Sequence, residues 1–176
     1  SYENIADKAT VAGVEIEIRK NLFVRPVSNA AHGMNKLSLG LNGSYIYTNA
    51  KMPLATVTTG SQLEGAAPWI VNFDLSHNFT KGERSFVNTL VLNYVSDKIY
   101  TIGTQGYQDV MEQGVLILDF VSQAKLNKHL SLNLKARNLL NPSYKLSRKA
   151  NENGEKVILN DYKKGINISL GVSCTF

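Results

Sequence analysis

A single cysteine, Cys174, gives this 176-residue chain no means to form an internal disulfide or a cysteine-based zinc site. The three histidines, His32, His77 and His129, lie far apart, so neither a metal site nor a nucleophilic triad is read from them. No Ser/His or paired-Asp constellation stands at a plausible position either; no enzymatic chemistry and no cofactor are expected. Long apolar runs are missing. Val115 to Leu118 is typical of the longest, far short of the about 20 residues that a membrane-spanning helix takes. The 19 basic residues are scattered among 14 acidic ones, so the net charge of +5 makes no basic stripe and nucleic acid is not an expected partner. Ser1-Tyr2-Glu3-Asn4 is polar and opens no leader pattern; an exported protein is expected here as a mature form or a fragment. Helical periodicity is scarce.

What the chain has in abundance is period-two alternation, the mark of strands with one apolar face. Val14, Ile16, Ile18 and Leu22 alternate with Glu15, Glu17, Arg19 and Asn21. Leu37, Leu39, Leu41, Tyr45 and Tyr47 alternate with Ser38, Gly40, Asn42 and Ser44. Trp69, Val71, Phe73, Leu75 and Phe79 oppose Asn72, Asp74, Ser76 and Asn78. A fourth strand carries Phe86, Leu90, Leu92 and Tyr94, and a fifth carries Leu116, Leu118, Phe120 and Leu126 against Asp119, Gln123 and Lys125. A sixth sets Leu130, Leu132, Leu134 and Ala136 against Ser131, Asn133, Lys135 and Arg137. The chain closes on a seventh, Ile166 to Phe176, with Asn, Ser, Gly and Thr between its apolar positions.

The connections alternate in length. Lys81-Gly82-Glu83-Arg84 and Asn127-Lys128-His129 read as tight hairpins, whereas residues 49–68, 96–114 and 141–164 read as long polar loops. Short turns on one side, long loops on the other and strands of about ten residues are the pattern of an outer-membrane β-barrel. Aromatic residues support it: Phe79, Phe86 and Phe176 fall at the short-turn rim, Tyr45, Tyr47, Trp69 and Tyr94 at the long-loop rim. Two aromatic rows around an aliphatic band are what lipid interfaces select. The expected fold is therefore all-β, an antiparallel meander of about seven transmembrane strands in a lipid bilayer.

Register follows from the turns. Leu126 should pair with Leu130, Phe79 with Phe86, and Tyr94 with Val71. Asp119 should lie opposite Arg137, a cross-strand ion pair contributing about 0.2–1 kcal/mol. A slip of one residue would push Arg137 into lipid at about 2–4 kcal/mol. His77 falls on the apolar face, with Asn88 expected opposite as its partner. Gly40 and Gly43 are expected at bends or close approaches. Cys174 reads as a small outward hydrophobe.

Seven strands do not close a barrel, and an open edge in lipid leaves backbone groups unpaired. Either an eighth strand hides within 144–148 or 156–159, making a small self-contained barrel of structural or adhesive role, or the chain is part of a larger assembly. Residues 144–148 and 156–159, with Asn151-Glu152-Asn153-Gly154 between them, read better as a hairpin outside the membrane, which favours the larger assembly.

Several stretches, in order, resemble the C-terminal part of the β-barrel of TonB-dependent outer-membrane receptors, particularly of the Bacteroidetes type. Ala9 to Glu17 is similar to an A-x-x-x-G-V-E-x-E strand, and Leu63 to Asn72 to an L-Q-G-x-(S/A)-P-x-x-x-N lead-in. Asn138-Leu139-Leu140-Asn141 is similar to an NLLN segment, and Tyr162 to Phe176 to a Y-x-x-G-x-x-x-x-L-G-x-x-x-x-F ending. The resemblance implies that residues 1–176 are one segment of a barrel of about twenty-two strands whose lumen holds a plug. It implies uptake of a scarce or large ligand across the bacterial outer membrane. The partners it implies are the remaining strands and plug, the TonB energy-transducing complex acting through that plug, and the barrel-assembly machinery. No plug or TonB box is read in these residues, so the chain alone is not expected to transport. The implied assembly signal is the last strand, with Ile168, Leu170, Val172 and Phe176 on its outward face. Lumen-facing residues are Glu15, Glu17, Arg19, Asp74, Asp119, Lys135 and Arg137. Ligand contacts are expected from the long loops, at Tyr100, Tyr107, Tyr144, Arg148 and Lys149.

Overall fold

The structure is a computed structural model, and it describes residues 8–27, 33–51, 62–103, 107–150 and 155–175. The described residues form eleven strands and no helix. Seven make one antiparallel sheet: β1 (Lys8–Pro26), β2 (Met34–Lys51), β3 (Trp69–Lys81), β4 (Arg84–Val95), β7 (Val115–Lys125), β8 (Leu130–Arg137) and β11 (Asn167–Cys174). Their order is β1-β2-β3-β4-β7-β8-β11, the meander read from the alternation. The other four, β5 (Lys98–Thr101), β6 (Val110–Glu112), β9 (Ser143–Lys149) and β10 (Lys156–Lys163), form a second sheet in the order β10-β9-β6-β5.

The second sheet is built from two of the long connections. The β9–β10 hairpin matches its expected place, but β5 and β6 stand in a stretch that reads as loop. Strands of four and three residues are too short to show periodicity and exist because β9 lends them an edge. The first two wall strands also differ from expectation. At 19 and 18 residues, β1 and β2 run well beyond the 9–11 residues that cross a bilayer. Their long-loop ends, Lys8–Gly13 against Ile46–Lys51, carry the ladder past the start of β3.

Register matches the hairpin reasoning at most points. Phe79 lies opposite Phe86 and Tyr94 opposite Val71. Leu126 donates its N–H to the Leu130 carbonyl at 3.0 Å, while the Asn127 side chain closes the turn by accepting from the N–H of both His129 and Leu130. Gly82 takes φ = 60°, the left-handed value that a two-residue hairpin turn demands. The expected Asp119–Arg137 pair is not made. The β7–β8 ladder stops at Phe120 opposite Ala136, and Asp119 accepts instead from the Asn138 N–H at 2.8 Å. His77 does lie opposite Asn88, yet its Nε2 meets Asn35 Oδ1 at 2.8 Å on the neighbouring strand, and Asn88 accepts from Ser122. Diagonal neighbours on a twisted sheet compete with directly opposite ones for short polar side chains.

Apart from glycines, the buried residues among those described are Thr48, Ala50, Ala67, Ile99, Tyr144 and Ser147. All sit at the long-loop end. Among the described residues the wall has no core of its own: Val14, Ile16 and Ile18 on β1 are 58%, 62% and 52% exposed, and no second layer of described residues covers the apolar face.

Candidate functional site

Three surfaces of this sheet carry chemistry: its polar face, its apolar face and the smaller sheet above it.

The polar face is a hydrogen-bonded lattice. Asn42 donates to Glu15 at 2.6 Å and Asn72 to Asn42 at 3.2 Å, so an amide chain crosses β1, β2 and β3. Ser38 donates to Asn21 at 3.0 Å, and Ser76 meets Thr89 at 3.1 Å. Glu17 and Arg19 form an ion pair, with both side chains more than half exposed, so its worth in water is small. Gly40 is packed beneath the Asp74 carboxylate, which occupies the space a Cβ would take. Close approach was one of the two readings of Gly40; Gly43 faces the other way and has open space around it. Asp119, Lys135 and Arg137 share the polar face by register with Asp74.

The apolar face carries the aromatic pairs. Tyr45 and Trp69 are neighbours at 4.5 Å between ring centroids, and Phe79 and Phe86 at 6.4 Å. Tyr94 and Tyr47 stand near the first pair, 39% and 47% exposed. Between the rows, Gly43 floors a shallow groove walled by Ile16, Leu41, Tyr45, Trp69 and Val71. Ile168, Leu170 and Val172 continue this face on β11, at 69%, 71% and 62% exposure. Phe176 lies outside the described residues.

Asn138, Leu139, Leu140 and Asn141 form a clasp at the long-loop end of β8. Asn138 and Asn141 have φ of 59° and 44°, a left-handed conformation that Asn tolerates better than most residues. The Asn138 amide donates to the Gly165 carbonyl at 2.7 Å, and the Gly165 N–H donates to Asn141 Oδ1 at 3.0 Å. Leu139 N–H donates to the Leu118 carbonyl at 2.8 Å. Three chain segments, those of β7, β8 and the start of β11, are thereby locked together.

The smaller sheet rests on the same end. Leu63 N–H donates to Thr48 Oγ1 at 3.1 Å, on the side of β2 that also carries Asn42 and Gly40. Gly65 N–H donates to the Ile99 carbonyl at 2.8 Å and Ile102 N–H to Glu64 at 2.6 Å. The connection before β3 thus ties β5 over the polar side of the wall. Two ion pairs brace the sheet, Lys98–Glu112 at 3.3 Å and Lys145–Asp161 at 3.7 Å. Arg148 lies over the Tyr107 ring at 5.0 Å. Arg148 and Lys149, with Lys156, Asp97 and Asp109, line a cavity of about 330 Å³. Both aspartates spend an oxygen on backbone N–H groups, of Gly114 and Gly103, which leaves the cations as the less committed charges. Tyr100 is 54% exposed. Tyr144 is 7% exposed, stacked on Tyr162 at 5.5 Å with the Lys164 ammonium 3.9 Å over its ring.

Sequence reasoning missed the inward side chains of β4 and β7. By register Val87, Val91, Val95, Val115, Ile117 and Val121 lie on the polar face, all half-buried. A signal was present: Val115-Leu116-Ile117-Leu118 is apolar on both parities, as strands covered on both faces are.

A family model described as TonB dependent receptor-like, beta-barrel matches residues 1–139. Among curated proteins and among solved structures, nothing matches the chain.

Proposed function

The chain belongs to the TonB-dependent receptor β-barrel family, and from that membership we propose that it forms the last wall strands of a bacterial outer-membrane receptor that takes up a scarce or large ligand. The family is one of outer-membrane receptor and transporter barrels, and membership implies a plug domain and a partnership with TonB in general. Closure into about twenty-two strands around that plug is part of the reading, as are a Bacteroidetes-type receptor and recognition of β11 by the barrel-assembly machinery through Ile168, Leu170, Val172 and Phe176.

One observation carries it. A seven-stranded sheet leaves its aliphatic face bare between two aromatic pairs, while the opposite face is a lattice of Asn, Ser and charged groups. Hydrocarbon outside and water inside satisfy both faces; bulk water would satisfy only one. The edges of β1 and β11 each lack a neighbour among the described strands, so further strands complete the wall. In this reading Glu15, Glu17, Arg19, Asp74, Asp119, Lys135 and Arg137 line the lumen, and Tyr45, Tyr47, Trp69, Phe79, Phe86 and Tyr94 mark the lipid interfaces. Tyr100, Tyr107, Arg148 and Lys149 contact the ligand from outside the cell, and Tyr144 acts from beneath by bracing their sheet.

Spin labels placed singly from Val71 to Ser76 in the full receptor, reconstituted in lipid, test the orientation. Odd positions should collide with dissolved oxygen and even ones with a water-soluble nickel chelate. Opposite phasing, or water access at every position, defeats the proposal.

A further inference from the structure

The lumen face is not uniformly polar, and its apolar part has a shape. Asp74, Val91 and Asp119 share one lateral row, as do Asn72, Asn93 and Ile117. Within the β4–β7 seam each apolar residue therefore has its next apolar neighbour on the diagonal. Val95 and Val115 face each other at the top, and below them come Ile117, Val91, Val121 and Val87 in a zigzag. Diagonal side chains remain within mutual reach on a sheet, so the zigzag is one continuous ridge. To one side, β2 and β3 present Ser38, Asn42, Asn72, Asp74, Ser76 and Asn78. To the other, β8 presents Ser131, Asn133, Lys135 and Arg137. A wall that faces only water has no reason to gather six β-branched residues on one seam, and the same strands give their other parity to the lipid side. Strands apolar on both parities are strands covered on both faces.

Resting on the reading of the chain as a TonB-dependent receptor wall, we infer that the inner side of β4 and β7 is the seat on which the receptor's plug packs, and that the β1–β3 side of the lumen stays wet. The charge pattern specifies the partner further. Asp74 and Asp119 flank Val91 two strand spacings apart, about 10 Å. The seated segment is a protein surface with branched or aromatic side chains at its centre and a basic or amide donor on each side. The long-loop end is compatible with this seat, because the connection before β3 hydrogen-bonds to the polar side of β2, two strands away from β4.

Single cysteines in the complete receptor test this, in a Cys174→Ser background. Val91→Cys and Val121→Cys probe the seam, Ser38→Cys and Asn72→Cys the wet side, and Leu92→Cys the outer face. A membrane-impermeant maleimide is the probe, applied to receptor with its plug and to the same receptor with the plug deleted. The seam cysteines should react at least tenfold more slowly than the wet-side ones when the plug is present, and at similar rates once it is removed. Seam rates equal to wet-side rates with the plug in place overturn the inference, and so do seam rates that stay slow after its removal, which would assign the ridge to lipid or to another loop. Rapid reaction at Leu92→Cys marks failure of the barrel reading itself and is separable from both. If Val91→Cys fails to assemble, Val121→Cys carries the comparison alone.

Discussion

Asn138 and Asn141 show how much one side chain decides. Each holds a left-handed backbone and also fills a hydrogen bond that pins Gly165. Asn138→Ala loses both contributions, a residue suited to φ > 0 and a part-buried hydrogen bond. The expected cost is about 2 kcal/mol. Asn141→Gly keeps the backbone freedom and loses only the side-chain bond, so about 1 kcal/mol is expected. The temperature at which the folded receptor loses its compact gel mobility ranks the two variants against the parent, with Asn138→Ala lowest. Gly103 is another position with little latitude. A Cβ there would collide with the backbone of Tyr107 and Gln108. Gly103→Ala should disturb the smaller sheet and ligand binding, read by titration with ligand-containing medium, while the gel mobility of the barrel stays that of the parent.

The last strand poses the same question one level up. On the proposed reading, the side chains of β11 alternate between lipid and lumen. Leu170→Lys places an ammonium against hydrocarbon near the middle of the strand, at about 2–4 kcal/mol. Ser169→Lys places it in the lumen, beside a β8 face that already carries Lys135. The yield of assembled protein in outer membranes should fall several-fold for Leu170→Lys and little for Ser169→Lys. Equal losses would mean that the two faces of β11 meet the same medium.

In the whole molecule the wall and the smaller sheet are separate in construction. The wall holds together through continuous ladders from β1 to β11, and none of its hydrogen bonding between strands passes through β9 or β10. The smaller sheet is anchored to the wall through the connection before β3, where Leu63 donates to Thr48 of β2 while Glu64 and Gly65 bond to Ile102 and Ile99. Replacing residues 143–163 by a short flexible linker should therefore leave a receptor that still folds as a barrel and has lost ligand uptake. Cell growth on the ligand and the mobility shift on heating measure the two properties independently.

The strands of the wall, their faces and most of their pairing were legible in the sequence, because a period of two admits only one assignment of faces and a tight hairpin admits few registers. Phe79 opposite Phe86 and Tyr94 opposite Val71 needed no coordinates. The rest was decided in three dimensions. Whether Asp119 met Arg137 or the Asn138 N–H depended on where the β8 ladder ended, and a left-handed turn fixed that end. β5 and β6 exist because β9 offers an edge to residues with no periodicity of their own. The ridge on β4 and β7 needed both, since its valines are plain in the sequence but their continuity appears only once neighbouring strands set them diagonal to one another. Local alternation determines which way a side chain points; only the assembled sheet determines what it points at.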